Sequence, residues 1–412
     1  MEEKDNNCSK EASLTNIKSI FILKKIFSFL NQKNYLKLIN YNKALQTKFN
    51  INILHYKKES YKIVIEIFPK KYNYGKFINI IKNTYRDYCH IYFNNNNNTE
   101  IYRNILYEDD VISKIKIILG YPIKCLNILF KGCKCIQKIN FIQFNRPDIK
   151  NMTRMFSGCS SLEEINLSKF KTDNVVDMNC IFKGCISLKE INISNFNIDK
   201  VKNISSIFSH CKNLKKIKFP NCLNNNLKDM SNIFFGCHSL EEINLANFKT
   251  NNVQNMKGMF RECRALKTLD LSNFNTEQTE DLSNMFLGCW SLTEINVSNF
   301  KTNNVKYMKF MFSRCKSIKK LDLSNFNTNN VEKMNGMFSN CYSLIELNLS
   351  SFNTDKVKSM DMMFFDCSSL KELKINKSFI RESLVTYKNN VFSGCPEILK
   401  NKIKSIYPKI YV

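Results

Sequence analysis

The sequence predicts an α/β solenoid of strand, turn and short-helix coils, preceded by a small helical N-terminal module. Three observations predict it. Phe130, Phe156, Phe182, Phe208, Phe234, Phe260, Phe286, Phe312, Phe338 and Phe364 recur at intervals of 26 residues without a slip, and a last copy, Phe392, follows after 28. A cysteine stands three residues behind each of them, from Cys133 to Cys395. Within each period the apolar residues pass from alternation to steps of three and four, the signatures of a strand and of one buried helical face. A unit this short exposes its apolar stripe if it stands alone, so consecutive units must stack and close one another's core.

Each element of the coil has its own residues. In MFSGCSSLEEINLSKFKTDNVVDMNC, Leu162, Ile165 and Leu167 predict a short strand, and Phe170 marks the turn after it. Val175, Met178, Ile181, Phe182 and Cys185 predict a short helix. Later periods fill the same positions with Leu240, Ile243, Leu245, Phe248, Val253, Met256, Met259 and Phe260. Eleven coils spaced about 4.8 Å apart give a parallel sheet on the order of 50 Å long. Phe170, Phe196, Phe248, Phe274, Phe300, Phe326 and Phe352 are expected to stack as an aromatic column, interrupted where Cys222 takes the position.

The spacing L-x-x-L-x-L resembles the leucine-rich repeat. The fuller phrase NV-x-x-M-x-x-MF-x-x-C-x-SL-x-x-L-x-LSNF-x-T is very similar to the BspA-type leucine-rich repeat family of surface proteins. Its best copies are NVQNMKGMFRECRALKTLDLSNFNT and NVEKMNGMFSNCYSLIELNLSSFNT, and the resemblance covers residues 126 to 395. Phe rather than Asn stands at the ninth position of the strand segment, a departure from ordinary leucine-rich repeats. The resemblance implies a leucine-rich-repeat solenoid; a surface adhesin is the function it adds as an alternative.

The flanks read differently. Residues 1 to 13 are expected to be a disordered tail. Residues 14 to 50 predict two or three short helices, with Ile22, Leu23, Ile26, Phe27, Phe29 and Leu30 on one apolar face. The phrase ILKKIFSFLNQKNYLKLINYNKALQ resembles an F-box, which implies a substrate receptor docking on the Skp1 adaptor of cullin ubiquitin ligases. It lacks the Leu-Pro opening and the Trp near the end, and a plain helical cap fits the same pattern. Residues 51 to 125 read as a mixed linker and cap: strands in YKIVIEIF and KIKIIL, a disordered connector in FNNNNNTE, and a degenerate zeroth coil around Ile112, Ile115 and Ile117. Residues 396 to 412 read as a C-terminal cap.

Charge and cysteine content bound the function. The chain carries 62 basic and 36 acidic side chains, a net +26. Only eight of the basic residues are Arg, and the abundance of Lys, Asn, Ile, Tyr and Phe reads as AT-rich codon usage rather than as a polyanion footprint. The charges at the outward positions of the strand segments, from Gln137 to Lys374, cancel to zero. That argues against a nucleic-acid partner on this face. Patches stand out on it: Lys215, Lys216 and Lys218 form a basic spot between the acidic pairs Glu163, Glu164 and Glu241, Glu242, the candidate residues for binding a protein partner. The same charges also serve to keep a polar face soluble. Asn166, Asn192, Asn296 and Asn348 lie in N-x-S sequons, which an Asn- and Ser-rich chain produces by chance.

Seventeen cysteines cannot all pair, and eleven fall on one register, so buried reduced thiols are expected. The acidic start MEEKDNNCSKEASL and the lack of an uninterrupted apolar run of about 18 residues predict neither export nor a membrane span. The location expected is the cytoplasm, with the cell surface as the alternative. His210, Cys211, Cys237 and His238 offer four zinc-type ligands at neighbouring registers, and Cys125, Cys133 and Cys135 three thiols near the first coil; both sets read as coincidence, and no metal or other cofactor is expected. No phosphate loop, G-x-S-x-G elbow or H-E-x-x-H pair occurs, so no catalytic residue is assigned. The functional expectation is a non-enzymatic scaffold that grips a macromolecule on its strand face.

Overall fold

A computed structural model describes residues 17–28, 42–49, 61–79, 88–121, 123, 126–220, 226–376, 379 and 390–406. The chain divides into two compact units, Met1–Lys62 and Ile63–Val412. The first contains α1 (Ile20–Ser28) and α2 (Lys43–Lys48). Asn42 caps α2, its side-chain oxygen accepting from the Leu45 amide at 3.1 Å. Leu23 and Leu45 are buried; of the expected apolar face, Ile22 and Ile26 are exposed, as is Phe21 beside it. The rest of the F-box-like stretch, residues 14–16, 29–41 and 50, lies outside the described residues, as do residues 1–13.

The second unit opens with an antiparallel sheet. Its strands are β1 (Ile63–Pro69), β3 (Cys89–Phe93), β5 (Ile115–Leu119) and β6 (Ile136–Phe144); a two-stranded ribbon joins β2 (Gly75–Lys76) to β4 (Ile105–Leu106). Alternation makes β1: Ile63, Ile65 and Ile67 are buried while Val64 and Glu66 are not. The order is β3-β5-β1-β6-β7, and β6 is the seam, antiparallel to β1 yet parallel to β7 (Glu164–Asn166) through Ile139 opposite Ile165. Ile115 and Ile117 therefore do not begin a zeroth coil. They pair antiparallel with Ile67 and Ile65, and the sheet covers the open edge of the first coil. The Asn-rich segment is a pinned turn rather than a disordered connector. Asn94 and Asn95 take left-handed φ of 50° and 63°, and Asn94 accepts from the Ser113 amide at 2.8 Å while donating to the Val111 carbonyl at 2.8 Å.

The repeats form a β-solenoid. Short strands β8 (Glu190–Asn192), β9 (Lys216–Lys218), β10 (Thr268–Asp270), β11 (Glu294–Asn296), β12 (Lys320–Asp322), β13 (Glu346–Leu349) and β14 (Glu372–Ile375) pair parallel and in register, as in Leu321, Leu347 and Leu373. A second parallel ladder of single bridges runs from Asn151 through Asp177, Asn203 and Asp229 to Ser359.

The predicted short helix is absent from the described part of every coil, which corrects the α/β assignment. Two residues per coil hold positive φ, one two places before the repeat Phe and one two places after it, for example Arg154 (55°) and Gly158 (77°) around Phe156. A left-handed residue every four positions prevents helix propagation. The segment is a chain of tight turns: Cys159 donates to the Phe156 carbonyl at 3.1 Å, and Phe156 donates to Ile181 of the next coil at 2.8 Å, not back along its own segment. Turns that close every three residues bury the same spacing as a helix face, so periodicity alone cannot separate the two. Three α-helices occur among the described residues, the third being α3 (Glu397–Ile406), which follows the last coil and buries Leu399 and Ile403.

Two aromatic columns fill the interior. The repeat phenylalanines from Phe130 to Phe392 stack without a break, ring centroids 5.2 to 6.2 Å apart and planes within 23°. The second column forms in two stretches of the expected one: Phe170 stacks on Phe196 at 5.5 Å, and Phe300, Phe326 and Phe352 stack in turn at 6.1 and 6.4 Å. Where it is interrupted, Phe219 meets Phe248 edge-on at 5.1 Å; Cys222 lies outside the described residues.

Polar ladders run alongside. Each repeat thiol donates to the carbonyl of the preceding coil's Phe, from Cys159 to Phe130 at 3.0 Å through Cys395 to Phe364 at 3.2 Å. Buried Thr302 and Thr328 donate to the Asn327 and Asn353 carbonyls, each at 2.7 Å. Asn325 donates to the carbonyls of Val297, Ser298 and Phe300 at 3.0 to 3.1 Å.

Phe260→Ala is expected to lower stability by about 3–5 kcal/mol, read as the urea midpoint, because a fully buried ring is removed from an unbroken column. Phe310→Ala, on the outer side of a turn at 36 % exposure, should cost under about 1 kcal/mol. Equal losses at the two positions would show that the column is not the source of stability.

Candidate functional site

The strand face is set by register. Because equivalent residues of successive coils lie side by side, an outward charge meets the residue 26 positions on. Lys138 reaches Glu164 at 2.7 Å, Lys320 reaches Glu346 at 2.8 Å, and Lys216 lies 3.9 Å from Glu190. Glu163 also reaches outside the repeat: Lys70, just beyond β1, binds it at 2.9 Å, and Gln137, 26 residues back, donates to its other oxygen at 3.1 Å. Those hydrogen bonds, Lys70 first, hold the Glu163 carboxyl below its ordinary range.

The seven candidate residues thus divide. Glu163, Glu164 and Lys216 are neutralised by neighbours that the sequence reading did not pair with them. Lys215, Lys218, Glu241 and Glu242 are exposed and make no ion pair among the described residues. Two hollows lie along the same face. Lys320, Asp322, Glu346, Asn348, Glu372 and Lys374 surround a shallow depression of about 380 Å³. A larger one, about 540 Å³, sits where the cap meets the first coil and is lined by Lys70, Tyr72, Tyr74, Val111 and Gln137. Tyr72 is 73 % exposed and held at φ 64°. Sequence reasoning missed this second hollow; the signal was the tyrosine-bearing turn KKYNYGK, which was absorbed into a linker.

The asparagines of the sequons have local duties. Asn166, Asn192, Asn296 and Asn348 each accept, through the side-chain oxygen, the amide of the serine two residues on, at 3.0 to 3.2 Å. These Asx turns end the strands.

The zinc-type set does not converge. Cys211 and Cys237 point inward and donate to the Phe182 and Phe208 carbonyls at 3.1 and 3.2 Å, and burial pushes the Cys211 thiol up to about 12. His210 packs its ring on Phe235, centroids 4.4 Å apart. Of the other set, Cys133 and Cys135 are buried and Cys125 lies outside the described residues. Among the described residues no group of three or more His, Cys, Asp or Glu is placed to hold a metal ion, and no helix is long and apolar enough to cross a membrane.

A family model described as "Mycoplasma protein of unknown function, DUF285" matches residues 124–224, 221–321 and 281–405. No curated protein matches the sequence. Solved structures of bacterial leucine-rich repeat proteins are similar to parts of the chain. One from Bacteroides ovatus is 18 % identical, with 61 % of this chain and 64 % of that one covered and a TM-score of 0.35. One from T. pallidum is 16 % identical, with 66 % and 89 % covered and a TM-score of 0.25. One from Leptospira interrogans is 14 % identical, with 65 % and 82 % covered and a TM-score of 0.21.

The histidines generate a pH dependence. Burial, then Lys183, Lys212 and Arg261, lower the pKa of His210; burial, then Arg264 and Lys212, lower that of His238. A lowered folded pKa means stability that is complete above the unfolded value of about 6.5 and lost as pH falls through the folded one. The Tm is therefore expected to drop between pH 7 and pH 5, with a shallower drop in the His210→Gln/His238→Gln variant. Identical slopes in the two proteins, followed by calorimetry, would contradict the assignment.

Proposed function

This chain belongs to the DUF285 family, and on that premise we propose that it is a non-enzymatic scaffold whose strand face binds a protein partner. One observation carries the reading. Interior registers repeat the same side chain coil after coil, whereas the outward registers of the strands differ from coil to coil although neighbouring strands pair parallel and in register. A fixed backbone with varied, exposed side chains is a surface suited to selective recognition. Lys215, Lys218, Glu241 and Glu242 are the charges we assign to the contact, since neighbours already neutralise Glu163, Glu164 and Lys216. The two hollows at its ends provide the concave places where partner side chains gain most.

The test uses the full chain. A quadruple charge reversal, Lys215→Glu, Lys218→Glu, Glu241→Lys and Glu242→Lys, leaves net charge and interior packing alone. Proximity labelling in the native cell is expected to lose its leading partners with this variant at least tenfold, and to keep them when Lys309 and Lys333 are replaced by Gln. A partner set indifferent to the face variant would remove the proposal.

A reducing compartment is part of the same reading. Its support is the thiol ladder, since a thiol donates to a carbonyl only while it keeps its proton. Titration of the chain, unfolded without reductant, should find most of its cysteines free; near-complete oxidation would exclude that compartment.

A further inference from the structure

Residue types that the composition makes rare gather at one corner of the solenoid. Three of the eight arginines (Arg261, Arg264, Arg314), the single tryptophan (Trp290) and two of the four histidines (His210, His238) fall within five successive coils, at the registers between the repeat Phe and the start of the strand. AT-rich drift supplies Lys and Asn; it does not concentrate these. In the residue immediately after the ladder cysteine the coils read Lys212, His238, Arg264, Trp290, Lys316 and Tyr342.

The side chains stack in that order. Arg264 lies over the Trp290 ring at 4.3 Å and Lys316 at 4.4 Å, with Lys316 also 5.9 Å from the Tyr342 ring. In the row beside it Arg261 covers Phe235 at 4.6 Å. Backbone bonds between coils lock the corner: Ser239 donates to the Lys212 carbonyl at 3.1 Å, Ala265 to His238 at 3.2 Å and Ser291 to Arg264 at 3.1 Å. Rings thus hold the cations in a fixed line. Over these coils and the one before them, Lys183, Lys212, Arg261, Arg264, Arg314 and Lys316 face a single acidic residue in these registers, Glu262. The strand face is close to neutral; this corner is not.

We propose that this cation–aromatic corner is a docking ridge for an acidic polypeptide segment. It is a second surface, independent of the strand face. Charge complementarity names the occupant's sign, and the rings name its class. Arg264 and Lys316 occupy the only indole, and Arg261 and His210 lie against Phe235, so the ring platforms at the centre of the row that a nucleobase would need are already taken. What the ridge offers outward is fixed N–H groups, and the chain itself shows what they accept: the Glu262 carboxylate takes a hydrogen bond from Arg264 Nε at 2.9 Å.

Trp290 is the sole tryptophan, so its emission reports on the ridge without a label. The full chain is titrated with an oligoglutamate peptide and, separately, with a single-stranded oligonucleotide of equal charge. The peptide is expected to shift Trp290 emission saturably and to bind more weakly as salt rises. Arg264→Gln/Lys316→Gln should weaken it at least tenfold. Arg264→Lys, which keeps the charge and guards against misfolding, should weaken it less, and Lys215→Gln/Lys218→Gln on the strand face should leave it unchanged. An unchanged emission, tighter binding of the oligonucleotide, or an equal loss from the strand-face variant would each overturn the ridge.

Discussion

Hydrogen bonding along the solenoid axis is the constraint on which the other features depend. In the turn segments the amide of each repeat Phe donates to a carbonyl of the following coil, as Phe182 does to Ile207 at 3.0 Å and Phe312 to Met337 at 2.8 Å. A donor aimed along the axis finds its acceptor only if the next coil presents the same backbone at the same angle, so an unpaired amide is the cost of any slip. The 26-residue period follows from that demand. So does its one exception: after 28 residues Phe392 still stacks on Phe364 at 5.2 Å, and Phe364 still donates to Val391 at 2.9 Å, which places the additional length between Cys367 and Val391.

Identical side chains in line must then tolerate one another. Flat rings do so by stacking, and a small thiol does so by donating to the carbonyl one coil back. Asn and Thr perform the corresponding task at the surface, ending strands through Asx turns and tying carbonyls of adjacent coils, as Asn273 does with Leu245, Ala246 and Phe248. Much of the asparagine content that composition alone assigns to codon usage therefore has structural work in the coil.

Vertical register also governs the outside. A lysine and a glutamate 26 residues apart become neighbours, as Lys306 and Glu280 do at 2.9 Å and Lys358 and Glu332 at 2.7 Å. Pairs this exposed contribute little stability each, but they cancel charge locally. The net charge of the chain consequently says little about any one surface: the strand face is almost neutral while the corner before it is strongly basic.

The sequence by itself determined that the chain is a stacked repeat, which repeat residues are interior and where most of the repeat strands lie, because burial of a periodic apolar set needs no knowledge of the backbone path between its members. It could not separate a helix from a succession of tight turns, since Met178, Ile181, Phe182 and Cys185 face inward in both, and the sign of φ at Cys180 and Gly184 leaves no trace in hydrophobic spacing. Only the tertiary structure decided that, along with the antiparallel cap and the pairing of Glu163 with Lys70. It also decided that Arg264, Trp290 and Lys316 touch, for contacts between residues one full coil apart arise from stacking and are invisible along the chain.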